Sequence, residues 1–383
     1  MSVTSAKGFR AAGIAAGIKA SGNADLALVV NDGPLTAAAG VFTSNRVKAA
    51  PVVWSEQVLK GGEVKAVVLN SGGANACTGP AGFQDTHKTA EETAALLEAS
   101  AAEIAVCSTG LIGVRLPMDA LLSGLKTATG ALAADGGPAA ATAIMTTDTV
   151  SKTAEARGTG YVVGGMAKGA GMLAPGLATM LVVITTDAVA DAGVLDGVLR
   201  AATKVTFDRV DSDGCMSTND TVLLQASGAS ETVPDPEEFQ TAVTSVCADL
   251  ARQLISDAEG ATKDIAVEVV RAATEDEAVA VAKAVTRSNL FKCAMYGNDP
   301  NWGRVLSAVG TTDASFEPEQ LSVAINGVWV CRDGGVGDDR DLVDLTGREV
   351  KVTVDLSAGA SSATVWTNDL TPGYVHENSA YSS

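Results

Sequence analysis

Lys168-Gly169-Ala170-Gly171-Met172-Leu173-Ala174-Pro175-Gly176-Leu177-Ala178-Thr179-Met180 runs directly into Leu181-Val182-Val183-Ile184-Thr185-Thr186-Asp187. The second stretch is apolar and β-branched, of strand length. In the first, glycines bend the backbone sharply, Pro175 stiffens it, and Ala178 leaves the carbonyl before Thr179 sterically open. The pattern is that of a self-cleavage site. Breaking the bond after Ala178 makes Thr179 the first residue of a strand, with a new α-amine beside its hydroxyl. A threonine hydroxyl is a weak nucleophile until a base takes its proton, and an α-amine titrating near ~7.7–8 can be that base.

The rest of the chain supports this economy. Only two histidines occur, His87 and His376, neither in a triad-like setting, and no Gly-x-Ser-x-Gly elbow is present. The 383 residues are 46% hydrophobic, enough for a sizeable core in two ordinary domains or one large sandwich. A net charge of −18 argues against nucleic acid or an anionic membrane as partner, because both select basic patches. No stretch reads as a signal peptide or membrane span. The six cysteines are scattered without a Cys-x-x-Cys pair, so no metal site is expected, and reduced, mostly buried thiols in a cytoplasmic protein are.

Strands are expected at Leu26 to Val30, Ala66 to Leu69, Leu181 to Thr185, Ile265 to Val270, Leu321 to Val330, Val350 to Leu356 and Ala363 to Trp366. A helix should start at Asp235-Pro236-Glu237-Glu238, with Asp235 as cap and Glu238 closing a capping box; Phe239, Val243, Val246, Leu250 and Leu254 mark its apolar face. A second should run from Thr274 through Val281 and Val285 to Leu290, and a third from Thr86 through Leu97 to Ile104. Residues 127–142 read as a surface connection, with the alternative that their alanines extend a helix. Asp211-Ser212-Asp213-Gly214 lacks the later glutamate of a calcium loop and reads as a turn.

Taken together, the motifs are specific. They are Val41-Phe42-Thr43-Ser44-Asn45, Asn70-Ser71-Gly72-Gly73-Ala74-Asn75-Ala76, Ser108-Thr109-Gly110-Leu111-Ile112-Gly113, Met145-Thr146-Thr147-Asp148, Lys168 to Thr186, Ser217-Thr218-Asn219-Asp220-Thr221, Asp257-Ala258-Glu259-Gly260-Ala261, Gly297 to Arg304, and Asn378 to Ser383. Over essentially its whole length the chain resembles the ornithine acetyltransferases, which move acetyl from N-acetylornithine to glutamate in arginine biosynthesis. The resemblance implies an α/β fold, an α/β/β/α layered sandwich of the self-processing N-terminal-threonine type. It makes 1–178 an α chain and 179–383 a β chain that share one fold and site in an α2β2 heterotetramer.

It also implies roles. Thr179 attacks the Ala178 carbonyl, an N-to-O acyl shift follows, the ester is hydrolysed, and the same hydroxyl later accepts acetyl. Thr109 and Gly110 supply the two donors that a developing oxyanion needs. Lys168 binds a substrate carboxylate, and Glu259 pairs with the substrate amine. One of Thr146 and Thr147 contacts substrate, and Asn378 and Ser383 close the pocket. The reaction is ping-pong and needs no cofactor; some relatives also use acetyl-CoA as donor. A self-processing amidase or aminopeptidase, with water as acceptor, is the competing enzyme reading. An uncut amino-acid-binding protein is the non-catalytic one.

Overall fold

The structure, a computed structural model, describes residues 2–174 and 180–380. They fall into two compact units, one within Met1–Asp208 and Cys215–Asp257, the other within Arg209–Gly214 and Ala258–Ser382.

The first unit contains β1 (Phe9–Ile14), β2 (Leu26–Asn31), β3 (Ala37–Phe42), α1 (Ala50–Val58), β4 (Ala66–Ser71), α2 (Gly79–Leu97), β5 (Ile104–Thr109), α3 (Met118–Gly130), α4 (Gly137–Ala143), β6 (Lys152–Gly158), β7 (Tyr161–Lys168), β8 (Leu181–Thr186), α5 (Ala192–Val205), β9 (Thr221–Ala226) and α6 (Pro236–Ser256). One sheet has the order β1-β2-β4-β5, the other β3-β9-β8-β7-β6. Val29, Val67, Leu69 and Cys107 of the first sheet share a core with Met166, Leu181, Val183 and Leu223 of the second. The outer face of the first sheet, with Leu28, Val68 and Val106, packs on Leu121 and Leu125 of α3 and Ala90 and Ala94 of α2. Val246 and Leu250 of α6 cover Gly165 on the outer face of the second. This is the α/β/β/α sandwich. Burial on both faces explains why β2, β4, β8 and β9 are buried along their whole length rather than at alternate residues.

The second unit contains β10 (Asp264–Ala272), α7 (Glu275–Thr286), α8 (Asn289–Tyr296), α9 (Trp302–Val309), β11 (Ser322–Ile325), β12 (Val328–Arg332), β13 (Gly335–Val336), β14 (Glu349–Asp355), β15 (Ser361–Asn368) and α10 (Pro372–Ala380). Its sheet runs β13-β12-β11-β14-β10-β15. Val267, Val352 and Val365 of that sheet pack on Val281 and Val285 of α7 and Phe291 of α8.

Several expectations are corrected. α2 stops at Leu97 because Glu98 takes a left-handed conformation, φ 54°, and Ile104 opens a strand that carries Ser108 and Thr109. α7 ends at Thr286, and Leu290 lies 65% exposed in α8, which the Ser288 side chain caps separately. The supposed strand Leu321 to Val330 is the hairpin β11–β12, turned at Asn326 and Gly327, both with positive φ. Much of 127–142 is helical, in α3 and α4. Asp235 caps α6 as expected, but Glu238 accepts from Thr159 instead of returning to the cap. Three cysteines are buried and three exposed, so the thiols are not mostly buried.

Candidate active site

In the first unit, β4 and β5 lie parallel with Ser71 opposite Thr109. The turn after β4 folds back, so that the Gly72 and Gly73 amides both donate to the Thr109 carbonyl, at 2.9 and 3.0 Å. Ser108 Oγ donates to Asn70 Oδ1 at 2.6 Å, and Asn70 Nδ2 donates to the Gly73 carbonyl at 3.0 Å. From β9's approach, Asn219 Nδ2 donates to the carbonyls of Ala74 and Ser108 at 2.7 and 2.8 Å. Thr43 Oγ1 donates to the Ser217 carbonyl at 2.7 Å. Four motifs distant in sequence are thereby tied into one buried corner.

Gly110 leaves this corner at φ +129°, and a Cβ there would stand 2.6 Å from Gly73 N and 2.9 Å from Gly72 C. Backbone, not a movable side chain, excludes anything larger than glycine. Gly110→Ala is expected to lose about 1–3 kcal/mol of stability from strain and overpacking, measured as a lower urea midpoint.

Lys168 ends β7, only 2% exposed, and its Nζ donates to Thr109 Oγ1 at 3.3 Å. It pairs across the ladder with Leu181, so the connection that carries Ala178 and Thr179 leaves and rejoins the sheet at facing residues. Ala178 and Thr179 themselves lie outside the described residues.

Beneath Lys168 is a buried charge network. Asp148 Oδ1 accepts from Lys152 Nζ at 2.7 Å and from the Gly169 amide at 2.6 Å, while its Oδ2 accepts from the Thr146 amide at 2.9 Å. Lys152, with no exposed surface, also donates to Asp257 Oδ2 at 2.6 Å. Thr149 binds Asp257 through its amide at 3.0 Å and through its hydroxyl. Burial pushes the Asp148 carboxyl up, but the charges of Lys168 and Lys152 and the hydrogen bonds from Lys152 and Thr146 overbalance it and bring its pKa to about 2. A third ammonium, Lys19, donates to the carbonyls of Ala24 and Met145 at 3.0 and 2.7 Å; burial, with the Lys168 charge, lowers its pKa against the pull of Asp25 and Asp148.

Of the expected site residues, Thr109, Gly110, Thr146 and Lys168 are thus joined through one network, with Thr147 half-buried beside it. Glu259 and Asn378 belong to the second unit. Glu259 is 8% exposed, and the next residue, Gly260, approaches α10 so closely that a Cβ would meet Tyr374 N at 2.2 Å. Thr371 Oγ1 donates to the Gly260 carbonyl at 2.7 Å. Asn378 lies exposed on α10, its Nδ2 donating to the Tyr374 carbonyl at 3.0 Å, and Ser383 lies outside the described residues. Sequence reading assigned no role to Lys19, Lys152, Asp148, Asp257, Asn219 or Asp220. Four of these stood in or next to quoted motifs, whereas nothing in the spacing marks Lys19 or Lys152. Among the described residues no cluster of acids, histidines and cysteines could hold a metal, and no helix is long and apolar enough to cross a membrane.

The model of the ArgJ family matches residues 10–383. The chain belongs to the ArgJ family. It is 71% identical to the arginine biosynthesis bifunctional protein ArgJ of Streptomyces avermitilis and 67% identical to that of Thermobifida fusca, each over 383 residues and the full length of both chains. Among solved structures, an ornithine acetyltransferase complexed with ornithine from Mycobacterium tuberculosis is 58% identical, covering 47% of this chain and 96% of that one, with a TM-score of 0.43. Membership in the ArgJ family agrees with the resemblance drawn from the motifs.

Proposed function

We propose that this ArgJ-family chain cuts itself between Ala178 and Thr179 and then transfers acetyl from N-acetylornithine to glutamate through an acetyl-Thr179 enzyme. The fragments 1–178 and 179–383 stay together as one folded body, associated as α2β2. Thr179 attacks the acetyl carbonyl while its α-amine takes the hydroxyl proton. The oxyanion forms against the Gly110 amide and Thr109, ornithine leaves, and the glutamate amine attacks the acyl-enzyme to give N-acetylglutamate. Lys168 and one of Thr146 and Thr147 hold the amino-acid frame, and Glu259, Asn378 and Ser383 complete the pocket. Acetylation of glutamate from acetyl-CoA is a second activity of the same reading, and the relatives' printed name, bifunctional, fits two activities without naming them.

The observation that carries this reading is the Lys168–Thr109 contact at 3.3 Å, which sets a buried ammonium and a hydroxyl beside the glycine corner. A buried cation and aimed donors favour negative charge on a carbonyl oxygen. Denaturing electrophoresis with N-terminal sequencing is expected to give two fragments, the second starting at Thr179. Acetyl should then appear on labelled glutamate rather than as free acetate. An unbroken active chain overturns the cleavage step, and acetate alone identifies an amidase. Gly110→Ala should slow both cleavage and transfer by about a hundred- to thousandfold, read as rates of fragment formation and of labelled product.

A further inference from the structure

Asp220 has no exposed surface and immediately precedes β9. Its Oδ1 accepts from the Met180 amide at 3.2 Å. That nitrogen is the one bonded to the carbonyl carbon of Thr179. The Met180 carbonyl in turn accepts from the Thr221 amide at 3.1 Å, so Met180 is gripped at both its polar atoms by Asp220 and the residue after it. Asp220 is itself fixed: its carbonyl accepts from the Thr43 amide at 2.9 Å. Its second carboxyl oxygen, Oδ2, is buried and has no hydrogen-bond partner among the described residues. A fully buried carboxyl costs stability even with the Ser217 amide and the Thr43 hydroxyl beside it, and such a cost at a site calls for a reason.

We propose that Asp220 is a positioning residue for the nucleophile, its side chain holding the peptide that joins Thr179 to Met180 during both self-cleavage and acetyl transfer. The inference rests on Thr179 being that nucleophile. Once the chain is cut, Thr179 is a terminal residue tethered on one side only, so the direction of its hydroxyl and amine depends on what holds its remaining peptide bond. The Asp220–Met180 hydrogen bond is such a hold. Burial raises the Asp220 carboxyl well above the usual carboxylate range, with the Met180 amide, the Lys168 charge, the Ser217 amide and the Thr43 hydroxyl opposing it.

The test compares Asp220→Asn with Asp220→Leu and Asp220→Ala in the full chain, alongside Thr179→Ala. Cleavage is followed by intact mass, and transfer from N-acetylornithine to labelled glutamate is measured per mole of cleaved chain. The amide keeps an acceptor for the Met180 N–H, so Asp220→Asn should stay within about fivefold of the parent in both rates. Asp220→Leu and Asp220→Ala should fold, as read by thermal melting, yet cleave about a hundredfold more slowly. Their kcat should fall by a similar factor with KM for N-acetylornithine held within about twofold.

Normal cleavage in either apolar variant overturns the proposal, as does an Asp220→Asn protein as slow as Asp220→Leu. Failure of both apolar variants to fold would make Asp220 a structural residue only, which also overturns it. Cleavage of Thr179→Ala would instead sink the nucleophile assignment on which the inference stands.

Discussion

Thr179→Ala should remain a single chain of about 38.5 kDa and lose acetyl transfer by a factor on the order of a millionfold, the cost of removing a nucleophile from a concerted site. One oxygen serves twice in the proposed chemistry, first against the Ala178 carbonyl and then against acetyl, so a single deletion stops both steps. Thr179→Ser separates the roles of hydroxyl and fold. It keeps the oxygen and should restore cleavage, since only a methyl group is lost. The check is intact mass together with the rate of label transfer to glutamate. A fragment beginning at residue 179 in the alanine variant would show that another group cuts the chain. The Gly110→Ala variant should move in the same direction but less far, because a displaced oxyanion donor weakens a transition state that the nucleophile can still reach.

The sandwich was legible where both faces of a strand are covered. β2 and β8 announce themselves as runs of Leu, Val and Ile, β14 of the other sheet by its alternating valines, and α6 by Asp235 and its five-residue apolar face. β3 and β7, with sequences AAAGVF and YVVGGMAK, did not, because small residues packed between layers carry little hydrophobic pattern. The alanines after Leu97 extended a helix on paper, whereas the Ser100–Glu103 capping box closes a single tight turn there and hands the chain to β5. The Asn326-Gly327 turn was readable as a hairpin signal inside what looked like one strand. At the site, motif glycines and threonines were visible as types. Lys152 was not, since a lone lysine between serine and threonine reads as surface, and only the fold reveals that two carboxylates enclose it.

Lys152→Met should therefore be among the most destabilising single changes outside the nucleophile segment. The ammonium is buried completely between Asp148 and Asp257, and methionine matches its bulk while leaving two buried carboxylates without their shared cation. Breaking such a pair costs about 3–5 kcal/mol, a large part of the 5–15 kcal/mol that holds a typical domain together. The expected result is a clear fall in the urea midpoint, partly recovered in the Lys152→Met/Asp148→Asn double variant, where one of the orphaned charges is gone.

The pH dependence gives an independent check. In the parent, the charges of Lys168 and Lys152 hold the Asp148 carboxyl at about 2, below its ordinary value of ~4. A depressed folded pKa contributes stability that is present above the unfolded value and lost as pH falls through the folded one, a window of roughly pH 4 down to 2 and worth about 2 kcal/mol. Removing Lys152 takes away one of the two charges that hold the value down, so the acid transition should begin at higher pH in Lys152→Met. Activity should fall with it, because Asp148 also holds the Gly169 amide at 2.6 Å and thereby the end of the strand that delivers Lys168 to Thr109. If Lys152→Met unfolds at the parental urea concentration and the parental acid midpoint, the network does not brace the corner, and Lys168 must be held by β7 alone.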